Sequence, residues 1–218
     1  MNPLPGERPH YSTFYGFAHV VVSALARALF WRSVVGLEHW VKGPALIAAN
    51  HASFLDPPLV GSACPEQIAY LARRDLFHNM LFRVICYGVG AIPVERNAAD
   101  FGSIKRVLGT LRQGKKVLLF PEGVRTFDGR CGAPMPGVGF LVHRSQVPVI
   151  PTYIHGTYRA WPRHRRFPIP ARTVVVFGEP IRFGAEAATR PTRETYEAIA
   201  DEIMARIRAL KPRALAAL

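Results

Sequence analysis

Gly43-Pro44-Ala45-Leu46-Ile47-Ala48-Ala49-Asn50-His51-Ala52-Ser53-Phe54-Leu55-Asp56-Pro57-Pro58 decides how the chain is read. Its first half, Ala45 to Ala49, is a short apolar run after a Gly-Pro turn, the pattern of a buried strand. Its second half turns polar at once. Pro57 and Pro58 favour an extended segment or the first turn of a helix. On a continuous helix His51 and Asp56 would stand about 140° apart and could not meet. In a loop turning into a helix they can. A neutral imidazole can take a proton from a hydroxyl through one nitrogen while a carboxylate on the other fixes the tautomer. Loops at strand ends are where α/β folds place such chemistry.

Further strands are expected at Ile68–Leu71, Ala91–Val94, Val117–Phe120, Val149–Ile154 and Val174–Phe177. Between them lies a helix at Phe101–Arg112, with Asp100 as its cap, Ile104, Val107, Leu108 and Leu111 as its stripe, and Gly114 as its stop. A last helix is expected from Thr192 to about Leu210, stopped by Pro212. Apolar strands interleaved with helices imply an α/β fold with a largely buried sheet.

The chain has 218 residues, enough for one domain with a short appendage. Half of its residues are hydrophobic (49%), which excludes disorder. Lys and Arg number 28 against 15 Asp and Glu, a formal +13, so nucleic acid, an anionic membrane face or phosphate-bearing small molecules are the expected partners. Cys64, Cys86 and Cys131 are widely spaced, which argues against a zinc site or a disulfide framework. The remaining histidines lack ligand spacing.

The first ten residues carry three prolines and are expected to be irregular. The apolar stretch Phe14–Trp31 contains a small-x-small mimic of a signal cleavage site, Ala24-Leu25-Ala26. It is interrupted by Arg27 and is shorter than a spanning helix requires. It suits a helix lying on a membrane surface or one packed on the protein's own core.

Three further stretches stand out. Phe120-Pro121-Glu122-Gly123-Val124-Arg125-Thr126 follows a strand and sets a glycine near a guanidinium, so that backbone and fork can approach an anion together. Gly90-Ala91-Ile92-Pro93-Val94-Glu95-Arg96 ends a strand on an arginine, a natural second phosphate ligand. Val147-Pro148-Val149-Ile150-Pro151 is a proline-flanked strand.

In this order and spacing the four stretches resemble the glycerolipid acyltransferases, the 1-acylglycerol-3-phosphate acyltransferase family. Asn50, His51 and Asp56 match its first motif, and Gly90, Ile92 and Arg96 its second. Phe120 to Thr126 match the third, with Val124 for Thr and Thr126 for Ser. Val147 to Pro151 match the fourth. Met135 stands where many relatives carry a charged residue. The resemblance covers about Gly36 to Ile181. It implies a largely buried mixed sheet flanked by helices, with an N-terminal membrane-associating segment at 1–35 and an acyltransferase domain at 36–218.

The resemblance also implies roles. His51 would be general base to an acceptor hydroxyl, oriented by Asp56. The hydroxyl would attack the thioester of acyl-CoA or acyl-carrier protein directly, with no cofactor, metal or acyl-enzyme. Arg96 and Arg125 would hold the acceptor's phosphate. Glu122, beside Gly123, would bond the acceptor or fix the Arg125 loop. The acceptor would be a lysophospholipid, 1-acylglycerol-3-phosphate foremost, with another headgroup left open by Val124 and Met135. The enzyme would sit on the cytoplasmic face of the cell membrane.

Five arginines and no acid fall between Tyr158 and Arg172. Arg159, Trp161, Arg163, Arg165 and Arg166 there would dock on an anionic membrane surface or hold the phosphates of coenzyme A. Two other readings remain at this point, a non-catalytic basic membrane-binding domain and a nucleic-acid-binding domain. The second lacks any nucleic-acid motif.

Overall fold

The computed structural model describes residues 12–94, 101–184 and 191–218. The expected irregular start, the Asp100 cap and Arg96 lie outside the described residues. Ala45–Ala49 does form the centre of the fold. Its strand, β2 (Leu46–Ala49), is buried on every residue. The other strands are β1 (Ser33–Val35), β3 (Ile68–Arg73), β4 (Ala91–Val94), β5 (Lys116–Leu119), β6 (Val149–His155) and β7 (Val174–Phe177). They make one seven-stranded sheet in the order β1-β7-β6-β2-β5-β3-β4. The strands from β6 to β4 are mutually parallel. β7 runs against β6, and β1 runs parallel to β7. The sheet is therefore mixed. β1 joins it from within the expected N-terminal segment 1–35.

Alternation along the strands divides two cores. Leu46, Ala48, Val117, Leu119 and Val149 face α4 (Phe101–Arg112), α5 (Pro136–Ser145), α7 (Arg193–Ala209) and α8 (Lys211–Ala216). Ala45, Ile47, Ala49, Leu118 and Ile150 face the other way, towards α1 (Thr13–Phe30) and α2 (Asp56–Ala63). The small α3 (Met80–Gly88) sits on that second side, where Cys86 meets Phe77, Ala91 and Tyr70. With both faces covered, the strands read as continuous apolar runs. The short α6 (Thr157–Ala160) follows β6.

Two sequence expectations need correction. Pro212 does not end the helical structure. It lies in the first turn of α8, where a missing N–H breaks no helical hydrogen bond. β5 also closes one residue earlier than expected. The Phe120 carbonyl accepts the Gly123 amide at 2.9 Å in a turn instead of continuing the ladder.

The inward side of α1 mixes apolar and polar residues, with Ala26 and Phe30 in the second core beside Tyr15 and Ser23. Tyr15 and Tyr70 share a 2.9 Å hydroxyl contact, and the Ser23 hydroxyl donates to the Ser62 carbonyl. Its outward side presents Phe14, Phe17, Val21, Leu25 and Leu29 to the exterior. Among the described residues it alone has the length and composition to cross a bilayer, yet it packs against α2.

Candidate active site

Parallel pairing in register brings the ends of β2 and β5 to one edge, with Ala48 opposite Leu119. Just past that edge the Asn50 side chain extends the ladder. Its amide donates to the Ile154 carbonyl at 3.0 Å, and its carbonyl accepts the Ile154 amide at 2.7 Å. The chain is thus held where β2 stops. His51 follows, and its ring stacks on Phe120 at 3.9 Å between centroids and 14° between planes.

His51 Nδ1 lies 2.8 Å from Asp56 Oδ2. The same oxygen accepts the amides of Ala52 at 2.6 Å and Ser53 at 2.7 Å. Asp56 is fully buried in the first turn of α2, with Pro57 and Pro58 beside it. An oxygen already accepting two N–H groups acts as an acceptor towards the imidazole too. Nδ1 therefore carries the hydrogen, and Nε2 keeps its lone pair. The side chain is 17% exposed, and the bond to Asp56 and the stack on Phe120 hold its ring.

The third-motif loop closes over this pair. Glu122 is buried, and both its oxygens are occupied by main chain. Oε1 accepts the His51 amide at 2.9 Å, and Oε2 the Gly132 amide at 2.8 Å. The Thr126 amide donates to the His51 carbonyl at 2.9 Å. Gly123 has a φ of +68°, and a Cβ there would lie 2.2 Å from Met135 Sδ. Met135 thus occupies space against the loop, and its amide donates to the Pro121 carbonyl at 2.8 Å.

Residues 32–155, more than half of the chain, match the family model described as Acyltransferase. The chain belongs to the acyltransferase family. The 1-acyl-sn-glycerol-3-phosphate acyltransferase of Bacillus subtilis (strain 168) is 26% identical over 168 residues, covering 76% of this acyltransferase and 80% of that protein. A chloroplastic 1-acyl-sn-glycerol-3-phosphate acyltransferase of Arabidopsis thaliana is 26% identical over 159 residues, and the chain spans only 44% of its length. The crystal structure of the 1-acyl-sn-glycerophosphate acyltransferase PlsC from Thermotoga maritima superimposes with a TM-score of 0.71 at 20% identity, over 91% of this chain and 80% of that one. This last likeness shows the fold.

In this acyltransferase Arg125 joins the dyad through an aromatic ring. Its guanidinium carbon lies 3.4 Å from the centroid of Phe54, in the spacer between His51 and Asp56. Burial lowers the Arg125 pKa from its usual value, and nearby Arg163 lowers it further. Phe54 in turn packs against Trp161 at 5.2 Å, and the Ser53 hydroxyl donates to the Trp161 carbonyl at 2.6 Å. Trp161 is therefore part of the site's wall.

The basic stretch is partly tied to the same rim. Arg163 lies 3.7 Å over the ring of Phe127, whose carbonyl accepts the Tyr158 hydroxyl at 2.7 Å. Arg165 donates to the Arg159 carbonyl, and its own carbonyl accepts the Trp161 indole N–H. Arg166 sits over Phe167 at 5.5 Å. All four arginines are exposed. The structure thus gathers His51, Asp56, Glu122, Gly123, Arg125, Trp161 and Arg163 at one sheet edge. Sequence reasoning missed Phe54, Phe120 and Phe127. Their signal was their place inside or beside the motifs, but an aromatic residue in a loop does not announce which cation or ring it will meet.

Proposed function

We propose that this acyltransferase esterifies the free hydroxyl of 1-acylglycerol-3-phosphate with a fatty acyl group from acyl-CoA or acyl-carrier protein, giving phosphatidic acid. The observation that carries the reaction type is the fixed tautomer of His51, which leaves Nε2 with its lone pair on a side chain that keeps some exposure. The printed names of the relatives support the choice of acceptor.

His51 Nε2 takes the proton as the acceptor hydroxyl attacks the thioester carbonyl. The resulting imidazolium is stabilised by Asp56. As the tetrahedral intermediate collapses, the C–S bond breaks and the thiolate leaves with the proton from His51. General-base assistance of this kind contributes about 10²–10⁴ in rate. No acyl-enzyme forms, and the acyl carrier is a co-substrate, so no cofactor enters the scheme.

Arg125, in contact with Phe54, binds the acceptor's phosphate, and Arg96 supplies a second cation. Glu122 holds the His51 and Gly132 amides and so acts as a positioning residue. The exposed arginines of the 159–166 stretch meet an anionic surface or the phosphates of coenzyme A. With α1 applied to lipid, the enzyme works as a peripheral or monotopic protein on the cytoplasmic face of the cell membrane.

The test is a panel assay. Purified protein is given palmitoyl-CoA or palmitoyl-acyl-carrier protein and lysolipids of several headgroups, with products read by mass spectrometry. Phosphatidic acid as the dominant product is the expected result. Equal or faster acylation of lysolipids without a terminal phosphate would overturn the assignment of the acceptor.

A further inference from the structure

α3 presents Met80, Leu81, Phe82, Val84, Ile85 and Tyr87 to the exterior, with Met80 72% and Leu81 68% exposed. Only Cys86 of this helix is buried. A nine-residue helix of this kind covers almost nothing of the protein's own core. Its outward surface is a contiguous apolar patch, and such patches on soluble surfaces mark interaction sites.

The patch does not stand alone. α3 lies on the same side of the sheet as α1 and α2. A Cβ at Gly88, the last residue of α3, would come within 2.3 Å of the Phe14 ring in α1. The two helices therefore touch, and their outward apolar residues form one surface. α1 buries only Tyr15, Ser23, Ala26 and Phe30 against the body and leaves Phe17, Val20, Leu25 and Leu29 exposed.

Basic residues border this surface. Arg83 lies within α3, Arg73 and Arg74 just before it, and Arg27 within α1. The nearby acid, Asp75, is engaged by Arg73. An apolar face bordered by arginines complements an anionic lipid leaflet, with aliphatic and aromatic side chains among the acyl chains and guanidinium groups at the phosphates.

We infer that α3 is a second membrane-docking element, which together with α1 seats the protein on an anionic bilayer by the α1–α3 side. α3 starts shortly after the carboxyl end of β3, at the same sheet edge as His51. Docking there holds the dyad next to the leaflet, so an acceptor reaches Nε2 from the plane of the membrane. This deepens the lipid-acyltransferase reading and rests on it for the identity of the acceptor, although the docking itself can be tested without turnover.

The experiment compares wild type with the triple variant Leu81→Gln, Phe82→Gln and Ile85→Gln. Both are mixed with phosphatidylcholine vesicles containing phosphatidylglycerol, and binding is read by flotation. Circular dichroism checks that the fold is kept. The variant should partition at least about tenfold more weakly, given the apolar area three such side chains withdraw from water. Its turnover of a short-chain lysophosphatidate dissolved as monomers should match wild type, while turnover on vesicles falls. Unchanged vesicle binding would overturn the inference, as would a lipid-free dimer that the substitutions dissociate without loss of flotation. Independently of how the triple variant folds, Phe82→Trp should gain tryptophan emission quenched by bromolipid vesicles, and no added quenching would also overturn the inference. If wild type binds vesicles through α3 but acylates no lysophosphatidate, docking stands and the acceptor assignment falls.

Discussion

The guanidinium carbon of Arg125 lies 3.4 Å from the centroid of Phe54, a ring within the five-residue step from His51 to Asp56. The candidate phosphate ligand and the candidate base are thus set by one short loop. The contact with the ring uses none of the guanidinium N–H groups, and Nη1 is buried without a hydrogen-bond partner, a donor left for an anion. Phe54→Ala should raise the KM for the acceptor by roughly 2- to 30-fold, the range of a cation–π contact. The kcat should stay near wild type, and Phe54→Tyr should restore most of the loss. Steady-state kinetics with a lysophosphatidate series would check it. An equal fall in kcat instead would place Phe54 in the chemistry.

Asp56→Asn keeps the shape but not the negative charge of the side chain. With its oxygen in the place of Oδ2 it still accepts the Ala52 and Ser53 amides and faces His51 Nδ1, and its NH2 group takes the place of Oδ1, a buried atom with no hydrogen-bond partner. The tautomer is kept, but the charge that stabilises the imidazolium is lost. The kcat should drop by about 10²–10⁴, and stability should fall by about 1–3 kcal/mol for the unpaired buried NH2. Thiol release and a melting curve on the same preparation measure both.

Gly123→Ala meets two obstacles of different origin. The steric one is cheap, because Met135 Sδ is the far part of a flexible side chain and can move. The backbone one is not, because φ stays at +68°. A cost of about 1–2 kcal/mol is expected from the left-handed conformation alone. Adding Met135→Ala should therefore fail to rescue stability, as read by urea titration. Full rescue would show that packing alone dictated the glycine.

His19 sits half-buried between α1 and α2, with Nε2 3.3 Å from the Cys64 carbonyl. Burial lowers its pKa below the usual value of 6.5, against the raising effect of that hydrogen bond. The unfolded chain therefore binds the proton more readily than the folded one between the two pKa values. Its contribution to stability is complete above about pH 6.5 and is lost as the pH falls towards the lowered value. His19→Gln should flatten the pH dependence of stability across that window. Denaturant midpoints at several pH values, wild type against variant, would reveal it.

Much of the architecture was legible because buried parallel strands are unbroken apolar runs. Ala45–Ala49 and Val174–Phe177 could hardly be anything else. α3 escaped notice for the same reason in reverse. Met80 to Tyr87 carries one polar residue, Arg83, too few to mark the polar face of a helix on a globule, since most of its outward side is apolar. β1 is three residues long, too short for any periodicity. The His51–Asp56 pair was legible from chemistry and spacing. The double occupancy of Glu122 by the His51 and Gly132 amides was not, because those partners come from loops far apart in the chain. Pro212 misled because proline breaks a helix interior yet suits a first turn, and only the Leu210 junction between α7 and α8 distinguishes them.

The central claim is that the free Nε2 of His51 removes the acceptor's proton. Its most direct measurement is coenzyme A thiol release from palmitoyl-CoA with 1-acylglycerol-3-phosphate, for His51→Ala against wild type, both shown to float with vesicles. The account requires turnover to fall by at least about 10²–10⁴-fold while flotation is unchanged. Turnover equal to wild type would contradict it.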